Sequence, residues 1–69
     1  MAESRIVNCI RRLRFENGEM TQQALADRVG CSRQTIVLLE QGRYSPSLAL
    51  AFRIARVFGR TVDDVFEYS

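Results

Sequence analysis

Two short helical patterns, with only three residues between them, occupy positions 21–42 of this chain. Thr21 is placed to cap the first helix and Gly30 to end it. Ser32 and Gly42 are placed to do the same for the second. The positions predicted to face inward are Leu25, Val29, Ile36 and Leu39. Two helices joined by a three-residue turn that contains glycine have the proportions of a helix-turn-helix unit.

Three further helices are predicted around this unit. The first runs from a cap at Ser4 to about Asn17. The fourth follows the loop "RYSPS" and a cap at Ser47, and the fifth begins with a capping box made by Thr61 and Asp64. The apolar positions predicted to face the core are Ile6, Ile10 and Leu13 in the first helix, Leu48, Leu50, Ala51, Ile54, Ala55, Val57 and Phe58 in the fourth, and Val62, Val65 and Phe66 in the fifth.

The length and the lack of strand-like alternation define the class of fold. A chain of 69 residues is expected to make one domain, residues 1–69, whose small core must use most of the 46% of hydrophobic residues. Helical spacing recurs throughout, so the domain is predicted to be all-α. Such a core leaves little room for an enclosed active site, and no small-molecule ligand is indicated.

All ten basic residues are arginine, against eight acidic residues, which gives a net charge of +2. Arginine carries a planar, forked donor that suits phosphates and guanine edges. The all-arginine usage is explained better by a GC-rich genome. The small net charge therefore says little about partners by itself.

Two cysteines and the absence of histidine argue against metal chemistry. Cys9 and Cys31 form no CxxC pair, so a zinc site is not expected, and small buried thiols are favoured over a redox-sensitive thiol. No apolar run is long enough for a membrane span, and the first ten residues do not resemble a signal peptide. We expect a cytoplasmic protein without cofactor, metal or membrane contact.

The start of the second helix of a helix-turn-helix unit is the part that meets base edges in the DNA major groove. Arg33 can bond to guanine O6 and N7 with two donors, and Gln34 can bond in the same way to adenine N6 and N7. Ser32 and Thr35 are short enough to reach phosphate or base. The alternative is that these polar residues are only a solvated first turn, but the capped helices and the inward apolar positions around them favour the DNA interpretation.

Three side chains near the ends of these helices are predicted to contact the DNA backbone. Gln22 lies beside the free N–H groups at the start of its helix, where a phosphate is favoured. Arg43 and Tyr44 follow the end of the next helix and can anchor the flanking backbone.

The segments "TQQALADRVGCSRQTI", "E-x-G" at Glu40 to Gly42 and "SPSLALAFRIARVFG" resemble the Cro/C1-type helix-turn-helix domain of phage repressors and of the Xre family of small regulators. The resemblance covers roughly residues 5 to 66. It implies a compact five-helix, lambda-repressor-like DNA-binding domain, with room for short extended segments at the termini. It also implies binding to double-stranded operator DNA as a homodimer, to repress or activate transcription.

Carried over by position, the resemblance gives each candidate residue a role. It implies base reading by Arg33, Gln34 and Leu38 with Ser32 and Thr35 beside them, and backbone contact by Gln22, Gln41 and Arg43. It also implies a buried pair between Arg14 and Glu40, which would orient the DNA-reading helix more than it would stabilise the fold. Relatives often carry polar residues near Ala24, Val37 and Leu38. An apolar Leu38 facing the groove is expected to touch a thymine methyl group.

The sequence end "VFEYS" suggests a dimer contact. Phe66 and Tyr68 alternate with Glu67, so the segment could extend, cover an interface and pair with the N-terminal residues as in some compact relatives. Two copies would then read half-sites about 34 to 36 Å apart. The alternative is that Phe66 belongs to the core of a single chain and Tyr68 is a loose end.

Two other classes of function compete with DNA-binding regulation. Some relatives are antitoxins, which bind DNA but chiefly neutralise a toxin protein, and a neighbouring toxin gene would favour that function. An enzyme is not expected, because the sequence has no histidine, no glycine-rich phosphate loop and no grouped carboxylates. Asp63 and Asp64 are adjacent, but a helix cap explains them.

Overall fold

The computed structural model describes residues 6–68. In chain order the elements are β1 (Ile6–Asn8), α1 (Ile10–Glu16), α2 (Gln22–Val29), α3 (Arg33–Glu40), α4 (Leu48–Val57), α5 (Val62–Val65) and β2 (Phe66–Tyr68). The five predicted helices are present. The domain is mostly rather than wholly helical, because β1 and β2 pair as a small antiparallel sheet, and the expectation of short extended segments at the termini is confirmed.

Side-chain caps begin four of the five helices. The predicted caps Thr21, Ser32, Ser47 and Thr61 are confirmed, since each accepts a hydrogen bond from the backbone N–H three residues later. The predicted capping box is also present: the Asp64 carboxylate accepts the Thr61 N–H at 3.1 Å. Local cap chemistry therefore defines where these helices start.

The turn between α2 and α3 depends on a left-handed glycine. Gly30 has a φ of +76°, and its N–H donates to the carbonyl of Ala26 at 2.9 Å. A residue with a Cβ adopts this conformation at a cost of roughly 1 to 2 kcal/mol. Glycine thus turns the chain so that Ser32, only two residues later, can cap α3.

The first helix is shorter than predicted because the chain before it is a strand. Ile6 pairs with Tyr68 and Asn8 pairs with Phe66 across the sheet. The side chain of Asn8 accepts the N–H of Ile10 at 3.1 Å, which starts α1 at that residue. Ser4, the predicted cap, lies outside the described residues.

One apolar core joins all five helices and β2. Phe66 is 9% exposed and belongs to this core, whereas Tyr68 is 75% exposed. Leu48 was predicted to face inward, but that prediction is wrong, since it is 72% exposed. Leu48 is the first helical residue of α4, and helical side chains lean towards the N-terminus, so it projects beyond the end of the core. The buried residues are Ile10, Leu13, Leu25, Ala26, Val29, Ile36, Leu39, Leu50, Ala51, Ile54, Ala55, Phe58, Val65 and Phe66.

Candidate nucleic-acid interface

The first turn of α3 presents two polar side chains to solvent. Arg33 and Gln34 are both exposed, and neither side chain makes a hydrogen bond or ion pair with another residue of the 6–68 segment. On the opposite side of the same helix, Ile36 and Leu39 are almost completely buried. The helix is therefore fixed to the core by one side while its polar start is free to form two-donor contacts with an external partner.

The two hydroxyl residues of this turn are already engaged with the helix. The Ser32 hydroxyl accepts the Thr35 N–H at 3.2 Å. The two hydroxyl oxygens lie 3.0 Å apart and share a further hydrogen bond. Each oxygen still has acceptor or donor capacity, but the first task of this pair is to hold the start of α3 in place.

The next turn of α3 replaces polar side chains with apolar ones. Leu38 lies four residues after Gln34, and Val37 lies four residues after Arg33, so each shares a side of the helix with one exposed polar residue. Both Val37 and Leu38 are half-buried, in contrast to the fully buried Ile36. They can offer apolar contact beside the polar start of the helix.

A nearly buried ion pair connects α1 to the end of α3. The Nε of Arg14 donates to Oε2 of Glu40 at 2.7 Å, and Nη2 donates to Oε1 at 3.0 Å. Only 13% of the Arg14 side chain and 11% of the Glu40 side chain are exposed. The third guanidinium nitrogen, Nη1, donates to the carbonyl of Met20 at 2.7 Å, just before α2. Arg14 thus ties together three parts of the chain.

Gln22 adds α2 to the same network. Its Nε2 donates to Oε1 of Glu40 at 3.1 Å, so one carboxylate accepts hydrogen bonds from both Arg14 and Gln22. A primary amide has two N–H donors. Glu40 therefore fixes the orientation of the Gln22 amide and leaves its second N–H for another acceptor.

Three candidate residues follow α3 on an exposed loop. Gln41, Arg43 and Tyr44 are all exposed, with Tyr44 44% accessible. The backbone holds this loop close to the helix, because the N–H of Arg43 donates to the carbonyl of Leu38 at 3.0 Å. Gly42 has a φ of +71°, which turns the chain at this point.

Sequence reasoning missed two residues that shape this surface. Asn8 donates from Nδ2 to the carbonyl of Leu39 at 2.8 Å and so links β1 to the last turn of α3. Arg11 lines an open groove of about 690 Å³ between α1 and α3, together with Gln22 and Gln41. Arg11 precedes Arg14 by three residues, so a shared side of α1 was the signal that could have found it.

Of the two cysteines, Cys9 lines the same groove as Arg11, and Cys31 lies in the turn between α2 and α3. Both thiols are free and half-buried against the core. The Cys9 thiol donates to the carbonyl of Asp64 at 3.4 Å, and burial raises the pKa of the Cys31 thiol. Residues 6–68 bring together no group of three or more histidine, cysteine, aspartate or glutamate side chains that could hold a metal ion. None of the helices described is long and apolar enough to cross a membrane.

Residues 10–65 match the family model described as "Helix-turn-helix". The chain is 60% identical over 58 residues to a protein of Methanothermobacter thermautotrophicus named "Uncharacterized HTH-type transcriptional regulator", and the match covers 83% of each sequence.

Two crystal structures share the arrangement of helices. A protein from Bacteroides fragilis superposes with a TM-score of 0.78 over 90% of this chain and 98% of that chain, and at 22% identity this likeness concerns the fold alone. The clp gene regulator ClgR from Corynebacterium glutamicum superposes with a TM-score of 0.72 at 29% identity, over 80% of this chain and 57% of that chain.

Proposed function

Because the chain belongs to the Cro/C1-type helix-turn-helix family, we propose that it is a sequence-specific DNA-binding transcriptional regulator that reads the major groove with α3. The observation that carries this proposal is the exposed pair Arg33 and Gln34 at the start of a helix whose other side is buried. In helix-turn-helix proteins this end of the second helix meets the base edges.

Each candidate on α3 has a distinct chemical role in this proposal. Arg33 bonds to O6 and N7 of guanine, and Gln34 bonds to N6 and N7 of adenine. Leu38, on the same side of α3 as Gln34, packs against a thymine methyl group. Ser32 and Thr35 keep the turn in shape and use their remaining hydrogen-bonding capacity on a phosphate or a base.

The backbone contacts surround the base-reading turn. Gln22 donates its second amide N–H to a phosphate, with the first held by Glu40. Gln41, Arg43 and Tyr44 contact phosphates from the exposed loop after α3. Such contacts fix the position of α3 on the duplex without choosing a sequence.

We further propose that the protein acts as a homodimer on a palindromic operator and represses transcription. One small module buries too little surface for tight specific binding, and two copies read half-sites about one helical turn apart. Tyr68 is the exposed candidate for the contact, since Phe66 is occupied in the core of its own chain. Repression needs only that the bound protein exclude other proteins from the operator.

Selection of bound sequences from random duplex DNA tests the proposal. The wild-type protein is expected to enrich one inverted repeat with half-sites about 10 base pairs apart. No enrichment over the starting pool would contradict sequence-specific binding. Sedimentation at micromolar concentration tests the dimer separately: a strict 7.9 kDa species without DNA, together with one chain per molecule of the selected DNA, would remove it.

A further inference from the structure

The open groove between α1 and α3 contains more than the two amides already assigned to DNA phosphates. Its volume is about 690 Å³, and its lining includes Gln22, Gln41 and Val37 on one side and Arg11, Arg12 and Phe15 of α1 on the other. The surface proposed to contact DNA at α2 and α3 therefore continues across α1.

Charge pairing leaves one arginine of this groove available. The carboxylates in the lining belong to Glu16 and Glu40, and each is paired: Glu16 lies 3.6 Å from Nε of Arg12, and Glu40 is bound by Arg14. Arg11 is exposed and makes no side-chain hydrogen bond or ion pair among residues 6–68. Its guanidinium is thus the uncompensated positive charge of the groove.

The chemistry of the groove suits one strand of a sugar-phosphate backbone. A guanidinium binds phosphate oxygens through two parallel N–H donors, and the amides of Gln22 and Gln41 offer further donors nearby. Phe15, which is 59% exposed, and Val37 provide apolar surface for the deoxyribose. The groove is open to solvent, so a DNA strand can approach it from outside the protein.

We propose that α1 is a third element of the DNA interface and that Arg11 binds a phosphate of the strand that passes between α1 and α3. The inference rests on the proposed function and extends it to an element that lies outside the helix-turn-helix unit. In this role Arg11 raises the affinity for DNA of any sequence, since a phosphate contact does not distinguish one base from another.

The test compares Arg11→Ala with Arg56→Ala. Both variants remove one exposed arginine, and Arg56 lies on α4 outside the groove. Binding to the selected operator is measured from low to high salt. Arg11→Ala is expected to reduce the slope of log K against log salt by about 0.9 per chain bound. Arg11→Ala should weaken binding to all DNA sequences alike. Arg11→Lys should keep most of the wild-type slope, and Arg56→Ala should change the slope less than Arg11→Ala does.

The outcomes separate this inference from the function on which it rests. If the wild-type protein selects an operator but Arg11→Ala has the same salt slope and affinity as Arg56→Ala, Arg11 does not bind a phosphate. The proposal that the protein is a regulator would then still stand. Wild-type protein that binds no DNA at low salt overturns both. Thermal unfolding of the two variants shows whether each remains folded, which is expected because both side chains are exposed.

Discussion

Glu40 accepts hydrogen bonds from Arg14 and Gln22 and so joins α1 and α2 to the end of α3. The geometry is bidentate and both charged side chains are largely buried. Burying two charges costs solvation free energy, which their attraction only roughly offsets. The pair is therefore expected to specify the position of α3 more than to add net stability.

Replacement of one partner of this pair tests that expectation. Glu40→Leu should lower the free energy of unfolding by roughly 2 to 4 kcal/mol, because the Arg14 charge stays largely buried without its carboxylate. The double variant Arg14→Met/Glu40→Leu should recover much of this loss, yet bind its operator more weakly because Gln22 is no longer oriented. Urea unfolding and operator titration measure the two effects. A single variant as stable as the wild type would contradict the importance of the pairing.

Leu38 provides a second prediction at the scale of one residue. If it packs on a thymine methyl group, replacing that thymine with uracil should weaken wild-type binding about fourfold, since one buried methyl group is worth about 0.8 kcal/mol. Leu38→Ala should bind the thymine and uracil operators equally well. If the wild type and Leu38→Ala lost the same affinity on the uracil operator, Leu38 would not contact the thymine methyl group.

The sequence predicts the elements whose ends are set by interactions between residues close together in the chain. Thr21, Ser32 and Ser47 bond to backbone groups three residues away, so their chemistry is visible in a short window. The first helix was predicted to start too early because Ile6 and Ile10 have helical spacing, while the partner of Ile6 in the sheet is Tyr68, at the other end of the chain. Pairing of the two ends was suggested only by the resemblance to compact relatives, since no local pattern contains that information.

The same limit applies to side chains whose environment depends on packing. Leu48 fits the apolar stripe of α4, but it stands at the helix end, where no other element covers it. The groove that contains Arg11 is lined by residues of both α1 and α3, which are far apart in the sequence. The polar start of α3, by contrast, follows from the sequence alone, since the cap Ser32 fixes where the helix begins.

The short helix α5 gives a prediction about pH. The backbone N–H of Thr61 donates to the Asp64 carboxylate and lowers its pKa, with smaller contributions from the Thr61 hydroxyl and the charge of Arg60. A carboxyl group whose folded pKa is lowered stabilises the fold above its unfolded pKa of about 3.9, and this contribution is lost as the pH falls through the folded pKa.

Asp64→Asn should therefore be less stable than wild type at neutral pH, and the difference should shrink as the pH falls below about 4 and vanish only below the lowered pKa of Asp64 in the folded protein. Unfolding curves recorded across this range measure it. Asp63→Asn is the matched control, because it removes a carboxylate from the same turn that has no hydrogen bond to Thr61. If Asp64→Asn lowered the free energy of unfolding by the same amount at every pH, the charge of Asp64 would not contribute to the cap.

For the molecule as a whole, DNA binding is expected to depend more on where the positive charges lie than on the net charge. The net charge is only +2, so a general attraction to the DNA polyanion is weak. Arg33, Arg43 and Arg11 are all exposed around α3 or along its groove. In the proposed complex these three arginines contribute positive charge on the side that faces DNA, and base recognition is assigned to the first turn of α3.

The most direct test of base recognition by α3 is to select duplex DNA from a random pool with wild-type protein and with Arg33→Ala. The wild type is expected to require guanine at one fixed position of each half-site, where a bidentate arginine contact is worth about 1 to 3 kcal/mol. Arg33→Ala should lose preference at that position, keep it elsewhere, and retain nonspecific, salt-dependent affinity. An identical selected sequence for both proteins would contradict the assignment of Arg33 and, with it, of the α3 start as the reading surface.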